Sequence, residues 1–404
     1  MGILQKALER FVQRYVAPSL SSYHHGYTLF GGYSTHAGQT VSEENALCSS
    51  AVYACTRIIS STFAGLPCNV YQELPAGGKS IAREHELFEL LHYRPNPWMT
   101  SFDFREAMMV HYCLWGNAYA AIIRSPDKRV IALYPMLPRC VEVEVGTGRV
   151  FYKYTPDNGS EPQVLGDDEV LHIHNMGLDG YRGLSPIVLA RQSLGIGLAA
   201  EAYAGRFFGN STVMGGYFEH PGQLSAEAQK RLIEAQERRH RGDGQHLVGV
   251  LEEGMKFKEV GLAPEAAQLL ATRQFQLTDI ARVYGVPPHK IGDLTRSTNN
   301  NIEHQAIEFV QDAILPPVCR WEQSIKAKFF MGTPYYVKFR LDGLLRGDYA
   351  SRTKGHSTML LAGAMTPNEV RELEDLNPMP GGDVLRTQMQ MVPLGTDPVD
   401  QQEA

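Results

Sequence analysis

The sequence has no excess of basic charge, no paired cysteine motif and no long apolar run. Its 404 residues carry 38 Lys and Arg against 44 Asp and Glu, a net charge of −6, so any contact with nucleic acid has to be local or weak. None of the six cysteines forms a C-x-x-C pair. They stand in apolar runs, which predicts reduced thiols in the core of an intracellular protein. No stretch approaches the roughly 20 apolar residues of a membrane helix, and the first ten residues lack a signal-peptide core, so we expect no membrane insertion or secretion.

The motifs of common catalytic and cofactor sites are also missing. Neither a G-x-S-x-G elbow nor H-E-x-x-H nor a paired-carboxylate signature occurs. Gly195, Gly197 and Ala200 match a dinucleotide fingerprint in letters, but they fall inside a predicted helix, where close helix packing explains them better. The run at 77–80 resembles the end of a phosphate-binding loop but lacks its earlier glycine, and its neighbours predict a surface hairpin. These absences favour a non-enzyme without a cofactor.

Two histidines leave a metal-dependent hydrolase open as an alternative. His172 and His174 alternate along a predicted strand just after Asp167 and Asp168, a spacing that places both imidazoles on one face. No third ligand follows at a recognisable spacing, so a histidine pair at a domain edge is the simpler interpretation, and the sequence predicts no metal.

Composition marks out both ends of the chain. Residues 17–42 contain no Lys, Arg, Asp or Glu and predict, over 1–42, an N-terminal arm that is flexible or lies extended on another part of the protein. A Pro- and Gly-containing tail with an acidic end follows Asn377 and predicts flexibility over 377–404. The predicted folded body is therefore 43–376.

Within this body, the periodicity predicts an α+β protein with most strands early and most helices late. Helices are predicted over 51–63, from a capping box at Thr100 to Trp115, over 186–208 and over 264–284. Several short strands are predicted over 130–174, and another over 335–339. Pro316 and Pro317 should kink a helical run that ends near Phe330.

Two polar stretches each have both a purely structural and a functional interpretation. Arg238, Arg239 and Arg241 end a predicted helix, where cations complement the helix dipole or form a basic patch for assembly or for DNA. The loop from Lys290 to Asn301 is rich in Ser, Thr and Asn and is either a solvated connection or a contact with a phosphate backbone that reads no sequence.

A series of short motifs resembles the portal (head–tail connector) proteins of long-tailed double-stranded DNA phages, the siphophage portal family. The motifs occur in the same order over about 43–382: Ser50–Ser60 with Ala64–Pro67, Asn96-Pro97 with Thr100, Gly116–Tyr119, Gly183–Pro186, Tyr284–Pro288 and Thr366–Arg371.

The resemblance implies the portal fold, with an α/β wing, a helical stem, a small α/β clip, a tunnel loop and a helical crown, assembled as a ring. Its parts map to a wing at 43–183, stem helices at 184–210 and 263–284, a clip at 211–262, a tunnel loop at 285–301, a kinked helix and return to the wing at 302–345, and a crown at 346–376.

The resemblance also implies the function. Such a ring, usually of twelve subunits, stands at one capsid vertex, and double-stranded DNA is packaged and ejected through it without sequence recognition. The implied partners are the terminase large subunit, the head–tail adaptor, and the major capsid and scaffold proteins. The implied locations are the virion and, during assembly, the host cytoplasm.

Candidate residues follow from the same mapping. The channel candidates are Lys290, Arg296, Ser297, Asn299 and Asn300, and the partner-facing clip candidates are Arg238, Arg239 and Arg241. The ring-packing candidates are the small stem residues Gly195, Gly197, Ala200 and Ala204. The alternatives are the hydrolase built on His172 and His174 and a DNA-binding module that forms no ring.

Overall fold

The computed structural model describes the chain between Tyr33 and Arg386 with internal gaps. The described residues are 33–75, 77–146, 149–209, 216–219, 222, 225–227, 230–231, 256–259, 266–293, 305–345, 349–374 and 376–386. They belong to two compact units that divide between Phe339 and Arg340. None of the described helices combines the length and apolar character that a bilayer crossing requires.

The first unit begins with short helices and strands that alternate. Its elements up to His174 are β1 (Tyr33–Ser34), β2 (Thr40–Val41), α1 (Glu43–Ala46), α2 (Ser50–Ala64), β3 (Cys68–Glu73), β4 (Lys79–Ile81), α3 (Glu86–His92), α4 (Ser101–Trp115), β5 (Asn117–Arg124), β6 (Val130–Met136), β7 (Val141–Gly146), β8 (Arg149–Tyr154), β9 (Gln163–Gly166) and β10 (Val170–His174). The strand-rich segment predicted over 130–174 is confirmed.

Longer helices follow, as predicted. They are α5 (Pro186–Gly209), α6 (Ala266–Tyr284) and α7 (Leu315–Phe329), with the strands β11 (Gly216–Glu219) and β12 (Lys256–Glu259) between the first two and β13 (Tyr335–Phe339) after the third. The second unit contains α8 (Asp342–Leu345), α9 (Tyr349–Leu361) and α10 (Pro367–Leu373). The strand predicted over 335–339 is confirmed.

Every described strand pair is antiparallel, in the orders β1-β2, β10-β5-β6, β11-β12, β13-β3-β4 and β7-β8-β9. The pairing of β13 with β3 runs from Tyr335 opposite Gln72 to Phe339 opposite Cys68. This pairing returns the chain, after more than 260 residues, to the sheet that contains β3 and β4.

An aromatic cluster forms the centre where β13 meets the helices. The ring of Phe63 lies 5.1 Å from that of Trp321 and 5.1 Å from that of Phe339, and all three side chains are almost fully buried. Because large aromatic side chains remove the most apolar surface from water, this cluster joins α2, α7 and β13 firmly.

Local signals in the sequence set the helix ends. Thr100 and Asp103 form the predicted capping box at the start of α4, and Thr366 and Glu369 form another at α10. Gly116 ends α4 with φ at 70°, in the left-handed region that suits glycine.

The adjacent prolines Pro316 and Pro317 are accommodated by a π-helical segment. The chain is helical over 305–309, π-helical over Val310–Ile314, and α-helical again from Leu315. Both prolines then fall in the first turn of α7, directly after the π-helical segment, because a proline has no N–H to bond to the preceding turn. The predicted interruption is confirmed, and its form is a change of helical register.

Three sequence predictions are wrong in part. Residues 33–42 are not a loose arm, because β1 and β2 pair and Thr35 and Val41 are buried. The tail is held at its start, since the Asn368 amide donates to Met379 O at 3.0 Å and accepts from Met379 N at 2.8 Å. Four cysteines are buried as expected, but Cys48 and Cys319 are exposed.

Candidate functional site

A junction centred on Asn117 positions the start of α5. The Asn117 side-chain nitrogen donates to Gly183 O at 2.8 Å and to Trp115 O at 3.0 Å, while its oxygen accepts from Gly183 N at 2.8 Å. One side chain thus satisfies both backbone groups of Gly183 and ties the two motifs Gly116–Tyr119 and Gly183–Pro186 together.

The same junction requires glycines because two backbone segments touch. A Cβ at Gly183 would lie 1.9 Å from Gly116 O, and one at Gly116 would lie 2.1 Å from Leu184 O. Ser185 then caps the new helix, since its hydroxyl accepts from Val188 N at 3.2 Å and donates to Leu114 O at 2.7 Å. The junction fixes both the position and the direction of α5 against α4.

His172 belongs to this junction and not to a metal site. Asn117 Oδ1 only accepts, so the Nε2 of His172 at 3.1 Å must carry the proton that it donates. The Nδ1 atom is then the acceptor for the Tyr152 hydroxyl at 3.3 Å. The imidazole also stacks on Tyr119 with ring centres 4.4 Å apart. A neutral ring therefore uses both nitrogens.

The electrostatics of His172 agree with this assignment. Burial, followed by the nearby His174 and Lys328, lowers the pKa of His172 to about 3. His174 makes its own contact, a 2.8 Å pairing of Nδ1 with Asn175 O. Among the described residues, no cluster of three His, Cys, Asp or Glu side chains suits a metal ion. This geometry gives the hydrolase alternative no support.

The small residues of α5 allow other side chains of the same chain to pack closely against this helix. A Cβ on Gly195 would lie 2.4 Å from the Thr35 hydroxyl, and one on Gly197 would lie 2.8 Å from Gln276 Oε1. Ala204 is buried. Two of the four ring-packing candidates thus have a packing partner within their own subunit, and packing between subunits stays a prediction for all four.

Larger apolar side chains face outward on α5 instead. Leu189, Ile196 and Tyr203 are 59%, 49% and 41% exposed. Their spacing of seven residues places them on one side of the helix, and Ala200 stands between the last two. We call these four residues the α5 stripe. On the neighbouring helix α6, Phe275 and Val283 are also exposed. Neither surface was predicted from the sequence, although the seven-residue spacing of Leu189, Ile196 and Tyr203 can be read there.

The channel candidates are only partly described. Lys290 lies in a short 3₁₀ helix, Pro288–Ile291, and its ammonium group is 5.1 Å from the centre of the Phe309 ring. The start of the predicted tunnel loop is therefore a helical turn attached to the helix that follows. The other channel candidates, Arg296, Ser297, Asn299 and Asn300, and the clip candidates Arg238, Arg239 and Arg241 lie outside the described residues.

Comparisons with known proteins agree with the fold. A family model described as "Phage portal protein" matches residues 50–375. The "Portal protein" of Enterobacteria phage HK97 is 34% identical over 369 residues, covering 88% of this chain and 85% of that protein.

Two solved structures share the fold at low sequence identity. The crystal structure of an HK97-family phage portal protein from Corynebacterium diphtheriae has a TM-score of 0.55 and 20% identity, covering 78% of this chain and 98% of that one. The neck of a native gene transfer agent particle, computed with C12 symmetry, has a TM-score of 0.54 and 21% identity, covering 82% and 91%.

Proposed function

The chain belongs to the phage portal protein family, and from this premise we propose that it forms the ring-shaped channel through which double-stranded DNA enters and leaves the capsid. The observation that carries the proposal is the family match over residues 50–375. Each DNA phosphate that a protein neutralises adds salt-sensitive affinity. A chain with net charge −6 has no excess of cations for this purpose and therefore suits a channel that DNA passes through. A weakly adhesive channel lets the duplex slide.

We place the ring contact on the two long helices. A cyclic ring needs two different complementary surfaces on each subunit, because its contacts are head-to-tail. The pair of α5 and α6 offers both, with the α5 stripe on one helix and Phe275 and Val283 on the other. Burying one such side chain contributes about 1.5–3 kcal/mol, and every interface of a ring repeats the gain.

The remaining roles fall to regions that the mapping assigns. The clip at 211–262 docks the terminase large subunit and later the head–tail adaptor, and the tunnel loop at 285–301 faces the duplex. ATP hydrolysis belongs to the terminase and not to this chain. The ring stands in the virion after assembly in the host cytoplasm, beside the major capsid and scaffold proteins.

Mass photometry with negative-stain imaging tests the ring. We expect closed rings of about a dozen subunits, and monomers at every salt and protein concentration would contradict the proposal. Ile196→Asp and Phe275→Asp should each abolish rings by placing a charge in the contact, whereas Met331→Asp, at an exposed turn before β13, serves as the control that keeps them.

Mixing the two ring-deficient variants tests the head-to-tail arrangement. Each Ile196→Asp subunit keeps an intact α6 surface, and each Phe275→Asp subunit keeps an intact α5 stripe, so one contact forms per pair. We expect dimers and no rings in the mixture. Rings in the mixture, or no association at all, would show that these two surfaces do not meet.

A further inference from the structure

A short loop before α5 projects apolar side chains away from the subunit. In residues 176–182, which we call the β10–α5 loop, Leu178 is 91% exposed and Met176 is 60% exposed. Single exposed apolar side chains are common on protein surfaces, but a leucine with so little contact gains almost no burial from its own subunit. A partner that covers Leu178 therefore gains nearly the whole hydrophobic contribution of that side chain.

The backbone of the β10–α5 loop is held firmly, which fixes the position of Leu178. Asp179 Oδ1 accepts hydrogen bonds from Tyr181 N at 3.1 Å and from Arg182 N at 2.8 Å. A Cβ at Gly177 would lie 1.9 Å from Arg182 O, so the two sides of the loop touch each other. Because the loop is already ordered, it loses little conformational entropy when it binds a partner.

A pocket of about 330 Å³ lies at the end of α6, the other helix of the pair. We call it the α6-end pocket. Ala281, Val286 and Pro288 supply apolar lining, and Glu308 and Asp312 supply carboxylates from the helix that follows. Its volume is at the lower end of the range for ligand pockets, which suits one or two side chains better than a large ligand.

The β10–α5 loop and the α6-end pocket stand at the same end of the helix pair. Ser185, directly before α5, donates its hydroxyl to Leu114 O at 2.7 Å. Tyr284, the last residue of α6, donates its hydroxyl to Cys113 O at 3.2 Å. Since these two carbonyls are adjacent along α4, the start of α5 and the end of α6 lie at one level. Rotation about a ring axis parallel to the helices keeps that level, so the loop of one subunit faces the level of the pocket in the next.

Both features also continue the proposed contact between the α5 stripe and α6. The loop directly precedes α5, whose first turn carries Leu189 of the stripe. The pocket lining includes Arg282, which is adjacent in sequence to the exposed Val283. A head-to-tail contact that pairs the two helix surfaces therefore brings the loop toward the pocket.

The charges of the two features are complementary. The Arg182 side chain is 55% exposed, and its ion pair within the loop is long, at 3.9 Å. In the pocket, Glu308 and Asp312 are exposed, and neither carboxylate has an ion-pair partner among the described residues. Arg282 also lines the pocket, but Asp279 at 3.0 Å offsets its charge. The pocket thus presents two carboxylates that suit a guanidinium group from a partner.

We propose, on the basis of the proposed ring contact, that the β10–α5 loop of one subunit docks into the α6-end pocket of the next. Leu178 lies against the apolar lining, and Arg182 lies beside Glu308 and Asp312. The occupant of the pocket is therefore a second copy of this chain. A rigid loop in a pocket also fixes the height at which neighbouring subunits meet, which two smooth helix surfaces do not.

Cross-linking of the full-length protein tests this docking. Cys48→Ser and Cys319→Ser first remove the two exposed thiols among the native cysteines, and Leu178→Cys is then combined with Pro288→Cys and treated with a short bismaleimide. We expect a ladder of covalent oligomers up to the full ring on a denaturing gel, because each chain forms one link on either side. Val164→Cys in place of Leu178→Cys, at a 65% exposed position of β9, is the control and should give no ladder.

Mass photometry of the same samples separates the docking from ring formation itself. Rings without a ladder overturn the docking and leave the proposed ring intact. A link within one chain, identified by mass spectrometry of the monomer band, overturns the docking as well, because the loop then reaches the pocket of its own subunit. If no rings form under any condition, the proposed function fails and the docking fails with it.

Charge reversal tests the pairing without added cysteines. Arg182→Glu and Glu308→Arg should each raise the protein concentration needed for half-assembly about tenfold, because like charges then meet in the contact. The double variant restores opposite charges and should assemble nearly like the wild type. Arg129→Glu, at an exposed arginine between β5 and β6, is the control and should leave assembly unchanged. Normal assembly of both single variants, or a double variant no better than either of them, would overturn the proposal.

Discussion

The neutral state of His172 predicts a specific loss of stability in acid. The pKa of His172 is lowered from 6.5 to about 3 in the folded chain, chiefly by burial, so the unfolded chain takes up the proton first as pH falls. The stabilising contribution is complete above pH 6.5 and is lost progressively below it. pH 5 lies about 1.5 units below the ordinary histidine pKa of 6.5, and each unit changes the free energy of unfolding by about 1.36 kcal/mol. The free energy of unfolding at pH 5 should therefore be about 2 kcal/mol lower than at neutral pH.

Urea unfolding of wild type and His172→Phe between pH 7.5 and 5 measures this difference. The phenyl ring keeps the stacking on Tyr119 but loses two hydrogen bonds, which costs about 2 kcal/mol at pH 7. Because phenylalanine does not titrate, the free energies of unfolding of the two proteins should converge near pH 5. Tyr152→Phe is the control: it removes one hydrogen bond to the ring but keeps the titration, so its offset from wild type should stay nearly constant. A constant gap for His172→Phe as well would refute the neutral assignment.

Three further predictions concern packing, thiol chemistry and the channel. Gly183→Ala should lower the free energy of unfolding by about 3 kcal/mol or more, because the new methyl group meets Gly116 O. Gly205→Ala, in a helix with open space around it, should raise the free energy of unfolding by about 1 kcal/mol. Chemical denaturation measures both changes. A maleimide reagent should label two thiols of the native chain, Cys48 and Cys319, and all six after unfolding, as counted by mass spectrometry; more than two in the native state would contradict the burial of the others. Shortening the loop at 290–301 should leave ring formation intact and reduce packaged or retained DNA, and normal DNA content in the resulting particles would contradict the channel assignment.

The sequence predicted elements where local chemistry decides the structure. The capping box at Thr100 and the interruption of the helix at Pro316 and Pro317 both follow from a few adjacent residues. The Asn117 junction was out of reach, because its partner Gly183 is 66 positions away and no periodicity records such a contact. His172 was ambiguous for the same reason: two histidines on one strand suit a metal or a hydrogen-bonded core, and only the neighbours distinguish them.

The solvent exposure of individual side chains was the other property that the sequence did not predict. Apolar runs around the cysteines predicted burial, yet Cys319 lies on the outer side of α7, since a run of apolar residues still places some side chains on each face of a helix. The uncharged composition of 17–42 predicted a flexible arm, but β1 and β2 pair within 33–42, and the buried Thr35 lies against Gly195 of α5. Composition describes what a segment contains and not what it packs against.

The small and large residues of α5 serve contacts on two different scales. Gly195 and Gly197 let Thr35 and Gln276 approach the helix within one subunit. The small size of the two glycines is therefore required by the fold of the subunit itself, independently of assembly. A contact between subunits then has to bury what remains exposed, namely Leu189, Ile196 and Tyr203. This division has a consequence for mutants: enlarging a glycine should disturb the subunit itself and lower its stability, whereas a charge in the α5 stripe should leave the subunit folded and prevent only its assembly. Circular dichroism of the isolated subunit, recorded beside its oligomeric state, separates the two effects, and a folded, monomeric Gly195→Val variant would contradict the assignment.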